Sequence, residues 1–225
     1  MKKSKLYALT YLSAFPFFAI VFGAIFFSAG SLCFWNGWLY WLAFCVPTLV
    51  ITMYFPQKDP ILIERRICPV ETRAAQIAGQ SIAAVLFLGG IVILPSLDYH
   101  FGWTYVYTGI SVLSAAAVLI GFIVVFIVFK VNTFTSRAIE HMEGQQLITT
   151  GPYSVVRHPM YSGAALIILA TPLVLGSLLG LIPAALLILV IVLRIYNEEK
   201  LLETELDGYI EYREKTRFRL IPYVW

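Results

Sequence analysis

The feature that most constrains this chain is a series of apolar runs, each long enough to cross a lipid bilayer. Four runs cover residues 6–28, 34–55, 77–97 and 105–129, and a fifth extends without any charge from 162 to 193. A transmembrane helix needs roughly 20 apolar residues. Composition agrees, because 60% of the 225 residues are hydrophobic and 13% are charged, whereas a soluble domain is about 45–50% apolar and about 25% charged. The sequence therefore predicts an all-α membrane protein.

The fifth run is too long for one straight crossing. As a single helix, residues 162–193 would extend about 48 Å at the rise of an α-helix, against a hydrocarbon thickness of about 30 Å. The middle of the run contains Pro172, Gly176 and Pro183. Proline removes a backbone donor and glycine loosens a helix. These residues predict a hairpin of two short helices that turns near Gly176, which brings the total to about six transmembrane helices.

Positive charges are confined to alternate loops. All 16 Lys and Arg residues lie in the N-terminal segment, the loop between runs two and three, the loop after run four, or the segment after run five. Loops 29–31 and 98–104 contain none. Because cytoplasmic loops carry an excess of Lys and Arg, we expect both termini in the cytoplasm. Near the C-terminus, Leu202, Leu206 and Tyr209 recur at helical spacing, which predicts an amphipathic helix over about 198–215.

The pattern of basic residues and cysteines disfavours two classes of function. The basic residues form short interruptions between apolar runs, whereas a nucleic-acid binder concentrates them in a stripe with aromatic residues. The three cysteines, Cys33, Cys45 and Cys68, match no zinc or redox spacing. We therefore expect neither nucleic-acid binding nor a metal site.

Two polar segments flank the predicted hairpin, and the first covers residues 144–163. Within it, Pro159 is suited to the first position of a helix, which places His158 near the N-cap. A helix N-terminus offers free N–H groups that suit a carboxylate or phosphate, and Arg157 adds donors. The alternative is that Arg157 anchors to lipid headgroups and His158 caps the helix.

The second polar segment covers residues 194–200 and follows directly on the hairpin. Arg194 and Glu198 lie four residues apart, on one helix face, where they can pair. Ionisable groups at a membrane boundary are often functional, although a solvated helix end would also explain Glu198 and Glu199. Because a hairpin returns the chain to its starting side, we expect the two polar segments to meet.

Together, the two segments resemble the isoprenylcysteine carboxyl methyltransferase and phospholipid methyltransferase families of integral membrane enzymes. The shared pattern is a leucine, a threonine, Gly-x-Tyr, Arg-His-Pro-x-Tyr-x-Gly, an apolar hairpin, Arg with a Glu-Glu pair, spaced tyrosines and Arg-Leu-x-Pro. The matching residues are Leu147, Thr149, Gly151, Tyr153, Arg157, His158, Pro159, Tyr161, Gly163, Arg194, Glu198, Glu199, Tyr209, Tyr212, Arg219, Leu220 and Pro222.

The resemblance implies methyl transfer from S-adenosyl-L-methionine to a lipid-like acceptor. The acceptor would be a carboxylate of the isoprenylcysteine type or, alternatively, a phospholipid amine. The partners would be the bilayer and a membrane lipid or lipidated small molecule. The implied organisation is a single membrane domain, in which residues 1–130 form four transmembrane helices and 131–225 bind the cofactor at the cytoplasmic face.

The resemblance also implies roles for individual residues. Arg194 and Glu198 would be catalytic, because Arg194 can orient a carboxylate and Glu198 can deprotonate an amine. A carboxylate also suits the ammonium and sulfonium of the cofactor, and an aromatic ring suits the sulfonium. The implied cofactor-binding residues are Gln145, Leu147, Thr149, Gly151, Tyr153, Arg157, His158, Tyr161, Glu198 and Glu199.

One position departs from the carboxyl methyltransferases of prenylated proteins. These carry a histidine where this chain has Gln145, and glutamine is frequent in bacterial-type and phospholipid-type members, so the acceptor stays open. An NADPH-dependent membrane reductase is the alternative of another class, because sterol reductases end in a similar Arg-His-Pro region. A transporter is not predicted, because no Lys or Arg lies within an apolar run.

Overall fold

The computed structural model describes residues 3–67, 74–133 and 147–225, and within these ranges every regular element is helical. The predicted all-α class is confirmed. The elements are α1 (Lys3–Ala29), α2 (Trp35–Lys58), α3 (Pro60–Ile67), α4 (Ala74–Val85), a π-helical segment (Leu86–Ile93), α5 (Leu94–Phe101), α6 (Thr108–Val131), a 3₁₀ turn (Gly151–Ser154), α7 (Pro159–Val174), α8 (Leu181–Glu205) and α9 (Tyr209–Lys215).

Six apolar helical segments account for the predicted number of spans. Helix α7 has 16 residues and is the shortest of them. The other five are long and apolar enough to cross a membrane, so the protein is a multi-pass integral membrane protein. They are Leu6–Ala29, Trp35–Lys58, Ala78–Phe101, Thr108–Val131 and Leu181–Glu205.

The predicted hairpin turns at Gly176. This residue has a φ of +82°, in the left-handed region that favours glycine. Its N–H donates to the Leu173 carbonyl at 3.2 Å, and the next N–H, of Ser177, donates to the Pro172 carbonyl at 2.9 Å. This is the Schellman arrangement that commonly ends helices. The Gly and Pro residues therefore stop α7 where the sequence predicts.

The second arm of the hairpin differs from the predicted short helix. Helix α8 has 25 residues and continues to Glu205, because neither Gly nor Pro occurs between Pro183 and Gly208. The amphipathic pattern predicted as a separate helix over 198–215 is accordingly divided. Its first part extends α8, and its second part forms the seven-residue α9 after Gly208, which has a φ of +79°.

Buried polar side chains fix the tip of the hairpin. Asp98, which is fully buried, accepts a hydrogen bond from the Thr104 N–H at 2.7 Å and from the hydroxyls of Thr104 and Ser177. Asn36, at the start of α2, donates to the Val174 carbonyl at 2.7 Å. A buried carboxylate with three donors is well satisfied, so the tip has a single defined position against the rest of the bundle.

Helices α6 and α7 approach each other closely at two glycines. A Cβ atom on Gly121 would lie 2.7 Å from the Gly163 carbonyl oxygen, and a Cβ on Gly163 would lie 2.7 Å from the Gly121 carbonyl oxygen. Small residues let membrane helices pack backbone against backbone. This contact sets the position of the first turns of α7, which directly follow Arg157 and His158.

Gly163→Ala is expected to lower the free energy of unfolding by about 1–3 kcal/mol, because the added methyl group must displace a backbone carbonyl. Thermal unfolding of the purified protein in detergent measures the change. Gly23→Ala, within α1, is the matched control, since a Cβ there meets nothing within 4 Å. A melting temperature of Gly163→Ala equal to that of Gly23→Ala would contradict the expected close contact.

Candidate active site

A buried ionic cluster joins the start of α7 to α8 and to the C-terminal segment 216–225, which we call the tail. Oε1 of Glu199 accepts a hydrogen bond from Arg157 Nε at 2.7 Å and lies 3.2 Å from His158 Nε2, while Oε2 accepts from Arg219 Nε at 2.8 Å. Glu199 is only 4% exposed. A charge buried this deeply requires paired, hydrogen-bonded partners, and both oxygens of this carboxylate have them.

His158 is the N-cap residue of α7 and Pro159 follows in the first turn, as the sequence predicts. The His158 side chain makes no capping hydrogen bond. Its ring instead points to Glu199, as does the guanidinium of Arg157, and both side chains are buried. The structure therefore contradicts the alternative in which Arg157 contacts lipid headgroups and His158 caps the helix.

The tail runs beside the Arg-His-Pro motif and contributes backbone carbonyls to it. The N–H groups of Arg157 and His158 each donate to a tail carbonyl at 2.9 Å. Nη1 of Arg157 also donates to the carbonyls of Thr216 and Arg217, both at 2.8 Å. Arg157 is thus held between one carboxylate and two carbonyls.

A second cluster centres on the hydroxyl of Tyr161. This hydroxyl donates to Glu198 Oε2 at 2.7 Å and accepts a hydrogen bond from Arg194 Nε at 2.8 Å. Arg194 and Glu198, which the sequence predicts to pair along one face of α8, are therefore connected through the hydroxyl of a tyrosine of α7. The Tyr161 ring stacks on His158 with centroids 5.8 Å apart, so the two clusters are continuous.

Three tyrosines lie beside these clusters, on the 3₁₀ turn and α9. The Tyr212 hydroxyl donates to the Tyr153 carbonyl at 2.7 Å, and Asn132 Nδ2 donates to the Tyr153 hydroxyl at 2.8 Å. Burial raises the pKa of Tyr212 to about 12 and raises the pKa values of Tyr153 and Tyr209 as well. All three hydroxyls are therefore protonated donors at neutral pH.

Tyr209 differs from the other two tyrosines because its hydroxyl has a hydrogen bond left to offer to a ligand. The residue is 3% exposed, and among the described residues its hydroxyl has no hydrogen-bond partner. Burial and the negative charge of Glu199 both raise the pKa of Tyr209, so this hydroxyl is a protonated donor. An unsatisfied buried hydroxyl costs about 1–3 kcal/mol, and a bound polar molecule would remove that cost. A buried hydroxyl that can donate fits the hydroxyl groups of the cofactor that the resemblance implies.

The remaining predicted site residues precede the Arg-His-Pro motif. Gln145 lies outside the described residues. Leu147 is half-buried beside Gly208, and Thr149 is exposed. Gly151 has a φ of +61° and begins the 3₁₀ turn. The structure therefore brings together six of the predicted residues, namely Arg157, His158, Tyr161, Arg194, Glu198 and Glu199.

Arg219 belongs to this site but received no predicted role. Besides its contact with Glu199, its guanidinium lies 4.9 Å from the centre of the Tyr196 ring and 5.3 Å from that of Trp225. These distances fit cation–π contacts. The signal in the sequence is the arginine of the Arg-Leu-x-Pro ending, but the sequence does not reveal that it faces Glu199.

Residues 109–206 match the family model described as phospholipid methyltransferase. The matched range covers α6, α7 and α8. It contains the side chains of both clusters except Arg219, which belongs to the tail. No curated protein matches the chain significantly. The match confirms the predicted resemblance and gives no support to a reductase. Over residues 109–206 the chain is therefore similar to the phospholipid methyltransferase family, whose members are S-adenosylmethionine-dependent methyltransferases.

Proposed function

We propose that this protein methylates a carboxylate on a lipid-like acceptor of the isoprenylcysteine type. The observation that carries the proposal is the chain of hydrogen bonds from Arg194 through Tyr161 to Glu198. The contact with Tyr161 fixes the guanidinium of Arg194 through its Nε atom. A guanidinium held in this way suits a planar carboxylate, and a carboxylate needs no base before it attacks a methyl group.

The cofactor would lie between the first turn of α7 and the Glu198–Glu199 pair. It supplies a methyl group made electrophilic by a sulfonium. The N-terminus of α7 suits its carboxylate, Glu198 suits its ammonium, and the hydroxyl of Tyr209 supplies a donor. Both oxygens of Glu199 already have protein partners, so we assign Glu199 the positioning of Arg157 and His158.

The residues before the Arg-His-Pro motif complete this proposed pocket. The resemblance to the family supports Gln145, Leu147, Thr149, Gly151 and Tyr153 as further cofactor contacts. Direct displacement depends chiefly on alignment of the reacting atoms and exclusion of water. The buried ionic cluster supports the alignment of the reacting atoms, because it holds α7, α8 and the tail together.

A phospholipid amine is the second candidate acceptor. The family is described as phospholipid methyltransferase, and Glu198 is a carboxylate held at the same place by Tyr161. An ammonium must lose a proton before its nitrogen can attack, and Glu198 would accept that proton. In this reaction Arg194 would contact the lipid phosphate instead.

We also propose that the site and both termini face the cytoplasm, within one membrane domain. Lys58, Lys130 and Lys200 lie in the C-terminal parts of α2, α6 and α8, where Arg66 contacts Phe129 at 4.5 Å. Among the described residues, the opposite end carries the hairpin tip and no Lys or Arg, which favours this orientation. Residues 1–130 would be the scaffold and 131–225 the cofactor-binding region.

Methyl transfer to defined acceptors tests the proposed function. Purified protein with methyl-labelled S-adenosylmethionine is expected to form a base-labile methyl ester on a farnesylated N-acetylcysteine. Label in phosphatidylethanolamine alone would overturn the carboxylate and select the amine. His158→Ala is expected to weaken S-adenosylhomocysteine binding about tenfold or more, by roughly 1.4 kcal/mol, in calorimetric titration. Lys200→Ala, exposed on α8, is the control that should bind normally.

A further inference from the structure

A cavity of about 250 Å³ opens between the 3₁₀ turn and the tail, and Glu199 is not among its lining residues. Ser154, Thr216 and Tyr223 line it together with two basic residues, Lys215 and Arg217. None of its lining residues is acidic. The cavity therefore combines positive charge with hydroxyl groups, which is the chemistry that binds a phosphate group.

The backbone of the tail connects this cavity to the buried ionic cluster. Thr216 and Arg217 both line the cavity, and their carbonyls accept the hydrogen bonds from Nη1 of Arg157 at 2.8 Å. A ligand that orders these two residues thus orders the carbonyls that hold Arg157. Arg157 in turn contacts Glu199 at 2.7 Å.

Apolar side chains are exposed directly beside the cavity. Tyr223 is 90% exposed, Val224 75% and Ile221 55%. Tyr223 also has a φ of +64°, a conformation that costs energy in a residue other than glycine and that clusters at binding sites. A soluble phosphate compound would gain nothing from these apolar groups. A lipid would, because its phosphate can meet the basic residues while its acyl chains meet the apolar ones.

We propose that this cavity binds the phosphate of an anionic phospholipid headgroup, through Lys215 and Arg217, and that its occupancy strengthens cofactor binding through Arg157. The first half of the proposal rests on the proposed membrane orientation and is independent of the methyl acceptor. The second half rests on the proposed cofactor site. The lipid here is a regulatory ligand, bound apart from Tyr161, Arg194 and Glu198.

Native mass spectrometry tests the lipid site directly. Protein released from detergent containing equal amounts of phosphatidylglycerol and phosphatidylcholine is expected to retain phosphatidylglycerol preferentially. The double variant Lys215→Ala/Arg217→Ala should lose roughly tenfold or more of that preference, since each basic residue contributes to attraction of anionic lipid. The control variant Lys58→Ala/Lys130→Ala removes the same amount of charge from exposed residues at the same end of the bundle. It should keep the preference for phosphatidylglycerol.

Three results would overturn the lipid site. They are equal retention of the two lipids by the unaltered protein, equal loss in both double variants, and thermal stabilisation by inorganic phosphate as large as that by phosphatidylglycerol. For the coupling, phosphatidylglycerol should tighten S-adenosylhomocysteine binding severalfold in the unaltered protein only. An unchanged affinity would overturn the coupling. No S-adenosylhomocysteine binding at all would overturn the proposed cofactor site and leave the lipid-retention result standing.

Discussion

Glu199→Gln is expected to lower the free energy of unfolding by about 3–5 kcal/mol, which is the usual cost of removing one partner from a buried ion pair. The glutamine would leave the buried guanidinium of Arg157 without a counter-charge and would weaken the contact to Arg219. For a chain of this size, the melting temperature should fall by roughly 10 °C. Thermal unfolding in detergent measures this, and S-adenosylhomocysteine binding should be lost in parallel because α7, α8 and the tail lose their common partner.

Glu203→Gln is the matched control, one turn further along α8. Glu203 pairs with Arg213, but the two side chains are 34% and 42% exposed. Exposed pairs contribute about 0–1 kcal/mol, so this variant should melt within a few degrees of the unaltered protein. Equal melting temperatures for the two variants would show that the Glu199 cluster is hydrated and does not hold the site together.

The parts of the fold that sequence predicts correctly are those fixed by local signals. Gly176 supplies the left-handed residue that ends α7, and Pro159 supplies the start of that helix. The convergence of residues 157–161 with 194–199 also follows from the sequence, because a hairpin in a membrane must return the chain to its starting side. These features depend on neighbouring residues and on the thickness of the bilayer.

The errors arise where a local pattern is ambiguous. Charges begin at Arg194, which suggests that the membrane span ends there and that a new amphipathic helix begins near Glu198. A helix, however, ends where its backbone is interrupted, not where polarity changes. Because Gly208 is the first such interruption after Pro183, α8 continues as one helix through the membrane boundary, and Glu198 and Glu199 lie inside it.

The tail could not be placed from sequence because its main contacts use backbone atoms. Arg157 binds the carbonyls of Thr216 and Arg217, and any residues at these positions would present the same groups. The role of Arg219 could not be predicted from the sequence for a related reason. Its partner Glu199 lies 20 residues earlier in the chain, on an element whose rotation about its axis decides whether Glu198 or Glu199 faces the tail.

Tyr161→Phe is expected to reduce the rate of methyl transfer about 100-fold, the loss that a displacement of about 1 Å at a reacting centre can cause. The change removes the hydroxyl that separates Arg194 from Glu198, at 2.8 Å from one and 2.7 Å from the other. The two charged side chains, one helical turn apart, can then pair directly. Arg194 would turn away from the acceptor, and Glu198 would be neutralised as a base.

The defect should therefore appear in kcat and in the KM for the acceptor. The affinity for S-adenosylhomocysteine should also fall, but severalfold only, because Glu198 would pair with Arg194 while the Glu199 cluster stays intact. The melting temperature should also stay close to that of the unaltered protein, since Arg194 and Glu198 are only partly buried. Tyr99→Phe, at the opposite end of the bundle, is the matched control and should retain full activity. If Tyr161→Phe methylates its acceptor at the rate of Tyr99→Phe, then Tyr161 does not position the reacting groups, and Arg194 acts without the bridge.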